Sequence, residues 1–564
     1  MSRRARGVDP ITLEVVRNKL EGIANEMQMT LLQSAFSPIV KEGMDCSAAL
    51  FTADGQTIAQ ATAIPIHLAT MIPALGAVLE KFPTHGMQDG DVYILNDPYC
   101  GGTHLPDITL FIPVFDGKKR KPKVVAFSVA TVHHQDVGGM APGSIPTNAT
   151  EIYQEGLRIP PLRYIEAGKV NETLEAMLRY NIRLPDTFMG DLHAQLSACM
   201  VGARRLSELC AAYGPDLIVK IFGLLLERSE AMTRAALRKL PEGTFRYVDY
   251  LDNDGVELGK RVRIEVAATV KDGSIHFDFT GTDKQLRGPL NCVPSGAYAA
   301  AYYAVRALTD AQIPTNGGCF RPVTLHLPEG SLVNPKAPAS VNARTATIKR
   351  ICGAMVSAFA EAVPERVPAA SSGLSVMLAF GGHRQDGTPF ILSELVCGGT
   401  GASAVSDGVD CLQTDGSNSM NQPIEALCLD APIRIKRFAL RADSGGAGRQ
   451  RGGLGVVREY EFLADDIRLT FRGERHFTAA RGSAGGGDGA MSRARILRAD
   501  GRVEEITKAV TTVSRGDRLV LETAGGAGFG DPKARDRTSL AADVANRKVS
   551  AGAAKETYAL QTEV

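Results

Sequence analysis

Apolar positions along the chain fall into two rhythms. From 9 to 35 they recur at helical spacing, with Val16, Leu20, Ile23, Met27 and Leu31 on one face. Asp9-Pro10 supplies an N-cap followed by proline at the first helical position. After Pro38 the pattern shortens to strand-like runs at 46–51 and 57–61, joined by the turn Ala53-Asp54-Gly55-Gln56. A helix is predicted over 66–79, ending near Pro83, and strands over 92–95, 108–115 and 124–132. Helical spacing returns from 171 to about 240, with Leu192, Leu196, Cys199, Ala203 and Leu206 on one side of 191–213 and a similar helix over 216–237.

From 241 the chain changes to strands at 245–250, 262–270 and 275–279, with turn signals at Asp254-Gly255 and Asp272-Gly273. Helices are predicted at 295–309 and 347–363, with loop and strand over 311–345. Residues 390–430 are rich in Gly, Ser and Asn, and beyond 441 short strands alternate with glycine clusters at 444–448, 451–455 and 525–530, without a fixed period. The tail 533–564 is charged, Ala-rich and expected to be peripheral. The expected fold is α+β, with multi-lobed mixed sheets, a helical segment in the N-terminal half and a strand-rich, Gly-rich C-terminal half. Its expected units are an α+β domain at 1–240, an α/β domain at 241–440 and a strand-rich region with the tail at 441–564.

Composition narrows the class. The 564 residues suffice for roughly three or four domain-sized units. At 44% hydrophobic and 22% charged the chain has a soluble, globular balance, and a net charge of +1 gives no reason to expect nucleic acid or an acidic membrane as partner. No apolar run approaches the ~18 residues of a membrane span. The basic start, Met1 to Arg6, is followed by an amphipathic stretch rather than the apolar core of a secretory signal. Ten cysteines occur without a CxxC pair, against both a zinc ribbon and a disulfide framework, so cytoplasmic residence is expected.

The candidate chemistry lies in two polar clusters that follow apolar runs. The first, Asn96-Asp97-Pro98-Tyr99-Cys100-Gly101-Gly102-Thr103-His104-Leu105-Pro106-Asp107, breaks a strand with turn residues and delivers an imidazole and a carboxylate. The second is His133-His134-Gln135-Asp136, closed by Gly138-Gly139. Imidazole and carboxylate together suit a divalent ion such as Zn or Mn. A carboxylate from Glu42 or Asp45 would complete an N2O2 shell with an open position; the alternative is a set of hydrogen-bonded turn residues. No GxSxG elbow or GxxxxGK[ST] phosphate loop occurs, and Gly399-Thr400-Gly401 lacks the third glycine of a dinucleotide loop. Cys100 near His104 is a weaker, nucleophilic alternative. The polar groups Gln154/Glu155/Arg158, Arg179/Asn181/Arg183 and 316–321 read as structural hydrogen-bond nodes.

With these motifs in view, the chain resembles the hydantoinase B family. That family includes the B-type component of N-methylhydantoinases, the B-type half of 5-oxoprolinases and the α subunits of acetone and acetophenone carboxylases. The resemblance runs from about residue 8 to 532 and rests on both polar clusters and on Gly143-Ser144-Ile145-Pro146. It continues through Asp278-Phe279-Thr280-Gly281-Thr282, Asn316 to Pro322, Asp443 to Gly448 and Gly528 to Pro532. It implies a metal site in which His104, Asp107 and His133 match ligand positions and one carboxylate comes from Glu42-x-x-Asp45. We assign Asp45 to the metal and keep Glu42, His134 and Asp136 as candidate general bases. Zn, Mn and Fe all suit such donors.

The resemblance further implies a hetero-oligomer with an A-type subunit that binds ATP and Mg. That partner would phosphorylate a cyclic amide, and ring opening would follow at this chain's metal site. The alternatives are a carboxylase α subunit acting on a ketone and a scaffold without chemistry of its own. Gly43 and Cys46 depart from the residues common in the family, as does the segment from His476 to Gly487, which bears on the substrate.

Overall fold

The computed structural model describes residues 7–118 and 120–560; the basic Met1–Arg6 stretch lies outside them. Helix α1 (Pro10–Ser34) starts as predicted, with Asp9 accepting a hydrogen bond from the Thr12 amide at 3.0 Å. After the single turn α2 (Pro38–Lys41) come β1 (Cys46–Thr52), β2 (Thr57–Gln60), α3 (Pro65–Lys81), β3 (Val92–Leu95), β4 (Asp107–Phe115) and β5 (Val124–His133). Strands β6 (Leu162–Glu166) and β7 (Lys169–Val170) complete a seven-stranded sheet in the order β2-β1-β5-β4-β3-β6-β7. Every neighbouring pair in it is antiparallel.

Strands β1, β4 and β5 are buried on both faces, which is why they read as continuous apolar runs rather than alternating ones. On one face Ala48, Leu50, Ile108, Leu110 and Val132 pack against α1 and against α5 (Pro185–Tyr213), which follows α4 (Glu172–Asn181). On the other, Ala49, Phe51, Phe111, Phe127 and Val129 meet Met71, Leu75 and Val78 of α3. Residue parity along each strand therefore decides which helical layer a side chain faces.

Helix α6 (Pro215–Leu237) leads into a second sheet of β8 (Gly243–Leu251), β9 (Val262–Lys271), β10 (Ser274–Asp278) and β11 (Val323–His326), in the order β11-β10-β9-β8. Only β10 and β11 pair in parallel. It is covered by α7 (Pro294–Leu308) and α8 (Arg344–Ser357). Helix α8 stops short of the predicted 363. The apolar run continues, but Phe359, Ala360 and Ala362 bond three residues back, in tight turns ahead of Pro364.

Two further sheets pack face to face. One joins β12 (Val376–His383), β13 (Pro389–Val396), β16 (Ile467–Arg472) and β19 (Lys508–Val513). The other joins β14 (Ile433–Leu440), β15 (Val456–Phe462), β17 (Arg493–Leu497), β18 (Val503–Glu505) and β20 (Arg518–Glu522). Phe380, Leu392, Leu469 and Phe471 of the first meet Tyr460, Phe462, Ile496 and Leu521 of the second. Pairing of β12 with β16 joins strands from either side of residue 440.

Beside this sandwich the glycine clusters lie backbone to backbone: Gly453 N–H donates to Thr400, Gly526 to Gly453 and Gly446 to Gly526. A Cβ on Gly399 would fall 1.8 Å from the Gly453 carbonyl oxygen, so only glycine fits. The tail carries helices Arg537–Ala545 and Ala551–Glu556, clipped back by Arg535 to Asp407 at 2.7 Å and Asp543 at 2.6 Å. Among the described residues no single helix is long and apolar enough to cross a membrane.

Candidate metal centre

The seven-stranded sheet builds the site from its strand ends. Asp107, first in β4, is the direct cross-strand partner of His133, last in β5. The neighbouring β1 begins at Cys46 opposite Val132, and the carbonyl just before it, that of Asp45, accepts the His133 N–H at 3.0 Å. Parity puts Asp45, Asp107 and His133 on the same face as Phe51, Phe111 and Phe127, the face covered by α3. His67, in the first turn of α3, stands over them.

His104 arrives on the loop before β4. Asn96 staples that loop, donating to the carbonyls of Leu105 at 2.7 Å and Leu157 at 3.0 Å and accepting from the Ile159 amide at 2.7 Å. Asp97 accepts from Arg158 at 2.8 Å. Gly101, at φ +95°, lies so close to α3 that a Cβ would sit 2.5 Å from the Pro73 carbonyl oxygen.

These elements converge on one carboxylate oxygen. Asp107 Oδ1 lies 3.0 Å from His104 Nε2, 3.1 Å from His133 Nδ1 and 3.7 Å from His67 Nε2. His104 Nε2 and His133 Nδ1 are 3.2 Å apart, and His67 Nε2 is 3.4 Å from Asp45 Oδ1. The second Asp107 oxygen accepts from Thr103 Oγ1 at 2.6 Å and from the Arg344 guanidinium.

The arrangement can be tested for a cation. His104 Nδ1 lies 3.0 Å from the carbonyl oxygen of Asn342, which only accepts, so the ring proton is assigned to Nδ1. Burial, reinforced by the Arg344 charge, pushes the His104 pKa down to about 3, so the ring is neutral and Nε2 carries a lone pair. That lone pair faces Asp107 Oδ1. Burial opposes ionisation of this carboxylate, yet the permanent charge of Arg344, which donates to its other oxygen, holds it well below the usual range. Two acceptors 3.0 Å apart repel, and either a proton on His133 Nδ1, within 3.2 Å of both, or a cation among the three relieves that repulsion. Neutral imidazoles and ionised carboxylates are also the donor set a borderline divalent ion takes. His104, Asp107 and His133 thus fit a metal, with Asp45 and His67 beside them.

A cavity of about 40 Å³ opens at this cluster, lined by Asp45, His67, His104, His133, Arg344 and Arg472 among others. The other residues singled out from the sequence do not line it. Glu42 is half-buried at the end of α2. His134, one residue beyond the face-setting His133, points to the α5 side, 4.4 Å from the Phe188 ring, with both nitrogens lacking a hydrogen-bond partner. Asp136 accepts from the amides of Gly138, Gly143 and Arg183 and from the Arg183 guanidinium at 2.8 Å, and so locks its own loop. Sequence reasoning missed His67, Asn342, Arg344 and Arg472. His67 follows an apolar run and carried the signal of the other two histidines. The rest lie far along the chain, without any local mark.

A candidate metal centre thus lies at the ends of an antiparallel sheet, enclosed by residues from the rest of the chain. The chain belongs to the hydantoinase B/oxoprolinase family, whose model matches residues 9–532. The beta subunit of the caprolactamase from Pseudomonas jessenii is 33% identical over 98% of this chain and 96% of its own length. The 5-oxoprolinase of Dictyostelium discoideum is 30% identical over 93% of this chain, which spans only 40% of that longer protein. The crystal structure of the ATP-dependent caprolactamase from Pseudomonas jessenii superimposes with a TM-score of 0.92 at 31% identity, over 99% of this chain and 98% of that one. Nucleotide-free acetone carboxylase matches with a TM-score of 0.91 over 98% of this chain and 80% of its own, at 21% identity, a likeness of fold alone.

Proposed function

We propose that this chain is the metal-bearing subunit of an ATP-dependent cyclic-amide hydrolase. Its substrate is a lactam or hydantoin activated by phosphorylation on an A-type, ATP- and Mg-binding partner in a hetero-oligomer. The observation that carries the reading is the end-to-end match to a caprolactamase subunit, in sequence and in fold, over a chain whose donor cluster fits a metal. Asp45, His104, Asp107 and His133 would hold the ion (Zn, Mn or Fe), which when bound supplies Lewis acidity for the carbonyl under attack. Asn342 orients His104, while Thr103 and Arg344 keep Asp107 ionised and aimed. A general base drawn from Glu42, His134 or Asp136 requires the cavity wall to rearrange; Asp45 and His67 already stand on it. The ten cysteines are free, in keeping with the cytoplasmic residence that forms part of this proposal.

The second reading, a carboxylase α subunit acting on a ketone, has the fold match to acetone carboxylase in its favour. Co-expression with the A-type partner separates the two. ATP turnover coupled to ring opening of caprolactam, hydantoins or 5-oxoproline is the expected result. Turnover stimulated only by ketone plus bicarbonate would overturn it, and full activity in His104→Ala would reduce the chain to a scaffold.

A further inference from the structure

We propose that Arg472 and Arg344, with the first turn of α8 and Ser419, form a phosphoryl-binding subsite on the wall of the metal cavity. This rests on the hydrolase reading and names the part of the activated substrate the chain would grip.

Arg472 has no directly paired carboxylate among the described residues, although Glu155 and Glu474 lie near enough to act on its charge. Buried arginines elsewhere are matched by carboxylates: Arg350 and Arg475 by Asp249, Arg458 by Glu394, Arg535 by Asp543. Arg472 is 5% exposed, yet among the described residues it forms no ion pair, and its one side-chain hydrogen bond goes to Asn342 Oδ1 at 3.2 Å. A buried guanidinium without a counter-charge is costly unless an anion joins it. Arg472 lines the cavity, as does Arg344, which is 3% exposed and spends one Nη on Asp107 while its Nε has no partner.

Further donors face the same space. Arg344 and Thr345 are the first residues of α8, so the positive end of its dipole lies at the cavity wall, although the Arg344 and Ala346 amides are already bonded to Val341 and Ala343. Ser419 lies on the wall, and its hydroxyl makes no hydrogen bond among the described residues.

Charge and size select the ligand. Asp45 and Asp107 offset Arg344 and Arg472, and Glu155, which acts on Arg472 and whose pKa is pushed up to about 7, carries part of a charge at neutral pH, so a bound divalent ion leaves an excess of between one and two positive charges. A phosphoryl monoester carries roughly −1.5 to −2 at neutral pH, whereas a carboxylate carries only one charge. The cavity of about 40 Å³ holds about three waters, the space of three phosphoryl oxygens. Planar guanidinium groups are also the side chains best matched to phosphate oxygens.

The test uses the full chain loaded with Mn(II). Inorganic phosphate, methyl phosphate and acetate are titrated calorimetrically, and broadening of the phosphorus resonance reports proximity to the metal. Both phosphates are expected to bind, with acetate weaker and the resonance broadened. Arg472→Gln should weaken phosphate by at least ~10-fold at unchanged metal content, with partial recovery in Arg472→Lys. Undiminished binding in Arg472→Gln, acetate binding as tightly as phosphate, or no broadening in the wild type would overturn the subsite. Binding of free phosphate without methyl phosphate would overturn its assignment to substrate. Neither ATP nor amide is needed, so failure here with ring opening retained sinks the subsite alone; phosphate binding without ring opening sinks only the hydrolase reading.

Discussion

His104 Nδ1 and the carbonyl oxygen of Asn342 lie 3.0 Å apart, although 238 residues separate them in the chain. Because a carbonyl cannot donate, this contact decides which nitrogen of His104 is free to face Asp107 and the proposed ion. The turn that leads into α8 thereby sets the chemistry of a loop beside the first sheet.

Removing a donor tests the metal assignment directly. His104→Ala and His133→Ala should purify folded, judged by circular dichroism, but depleted of metal by elemental analysis. The loss of affinity should exceed the roughly 10–100-fold that outer partners carry. Full metal content in both variants would refute the centre.

Thr103→Val probes one such outer partner. The hydroxyl donates to Asp107 Oδ2 at 2.6 Å and the substitution keeps its shape. Metal affinity should fall by about 10-fold while the melting temperature of the metal-free protein changes little.

The pH dependence of stability should carry the mark of Glu155. One of its oxygens accepts from Ser340 Oγ and from the amides of Val341 and Asn342 at 2.8 Å; the other has no partner. Burial pushes its pKa up to about 7. In the unfolded chain the carboxyl ionises near its ordinary value, so between there and about 7 the folded state holds the extra proton. The group's contribution is complete at acid pH and is lost as pH rises through that window. Glu155→Gln keeps the accepting oxygen and cannot ionise, so its melting temperature relative to wild type should climb from pH 5 to pH 8. A difference that stays flat would show that Glu155 titrates normally.

Glycine substitutions should divide sharply. Gly399→Ala drives a Cβ to 1.8 Å from the Gly453 carbonyl oxygen and should cost at least the ~1–3 kcal/mol of an overpacked core. Gly223→Ala, inside α6 with nothing within 4 Å of the new atom, should be neutral or stabilise by up to about 1 kcal/mol. Thermal melts of both variants check the contrast.

Legibility followed the range of the forces involved. Strands such as Val92–Leu95 and helices such as Pro10–Ser34 were readable because burial, caps and prolines act locally. His104, Asp107 and His133 stood out because turn residues deliver them from strand ends. Asn342, Arg344 and Arg472 were silent, since their roles come from contacts across the fold rather than from neighbours. His134 and Asp136 lie off the cavity for a local reason: alternation turns His134 away from the face of His133, and Asp136 is held by its own turn. The glycine clusters had no period to read, because their partners are other backbones rather than a face of one element.

The donor atoms of Asp45, His67, His104, Asp107 and His133 all lie in the first quarter of the chain, whereas Asn342 and Arg344 come much later. A nascent polypeptide therefore carries all of the proposed ligands long before it holds the groups that aim them. A fragment ending ahead of Asn342 would lack the carbonyl that fixes the His104 ring and the guanidinium that grips Asp107, so any discrimination among ions at the proposed centre would await the finished fold.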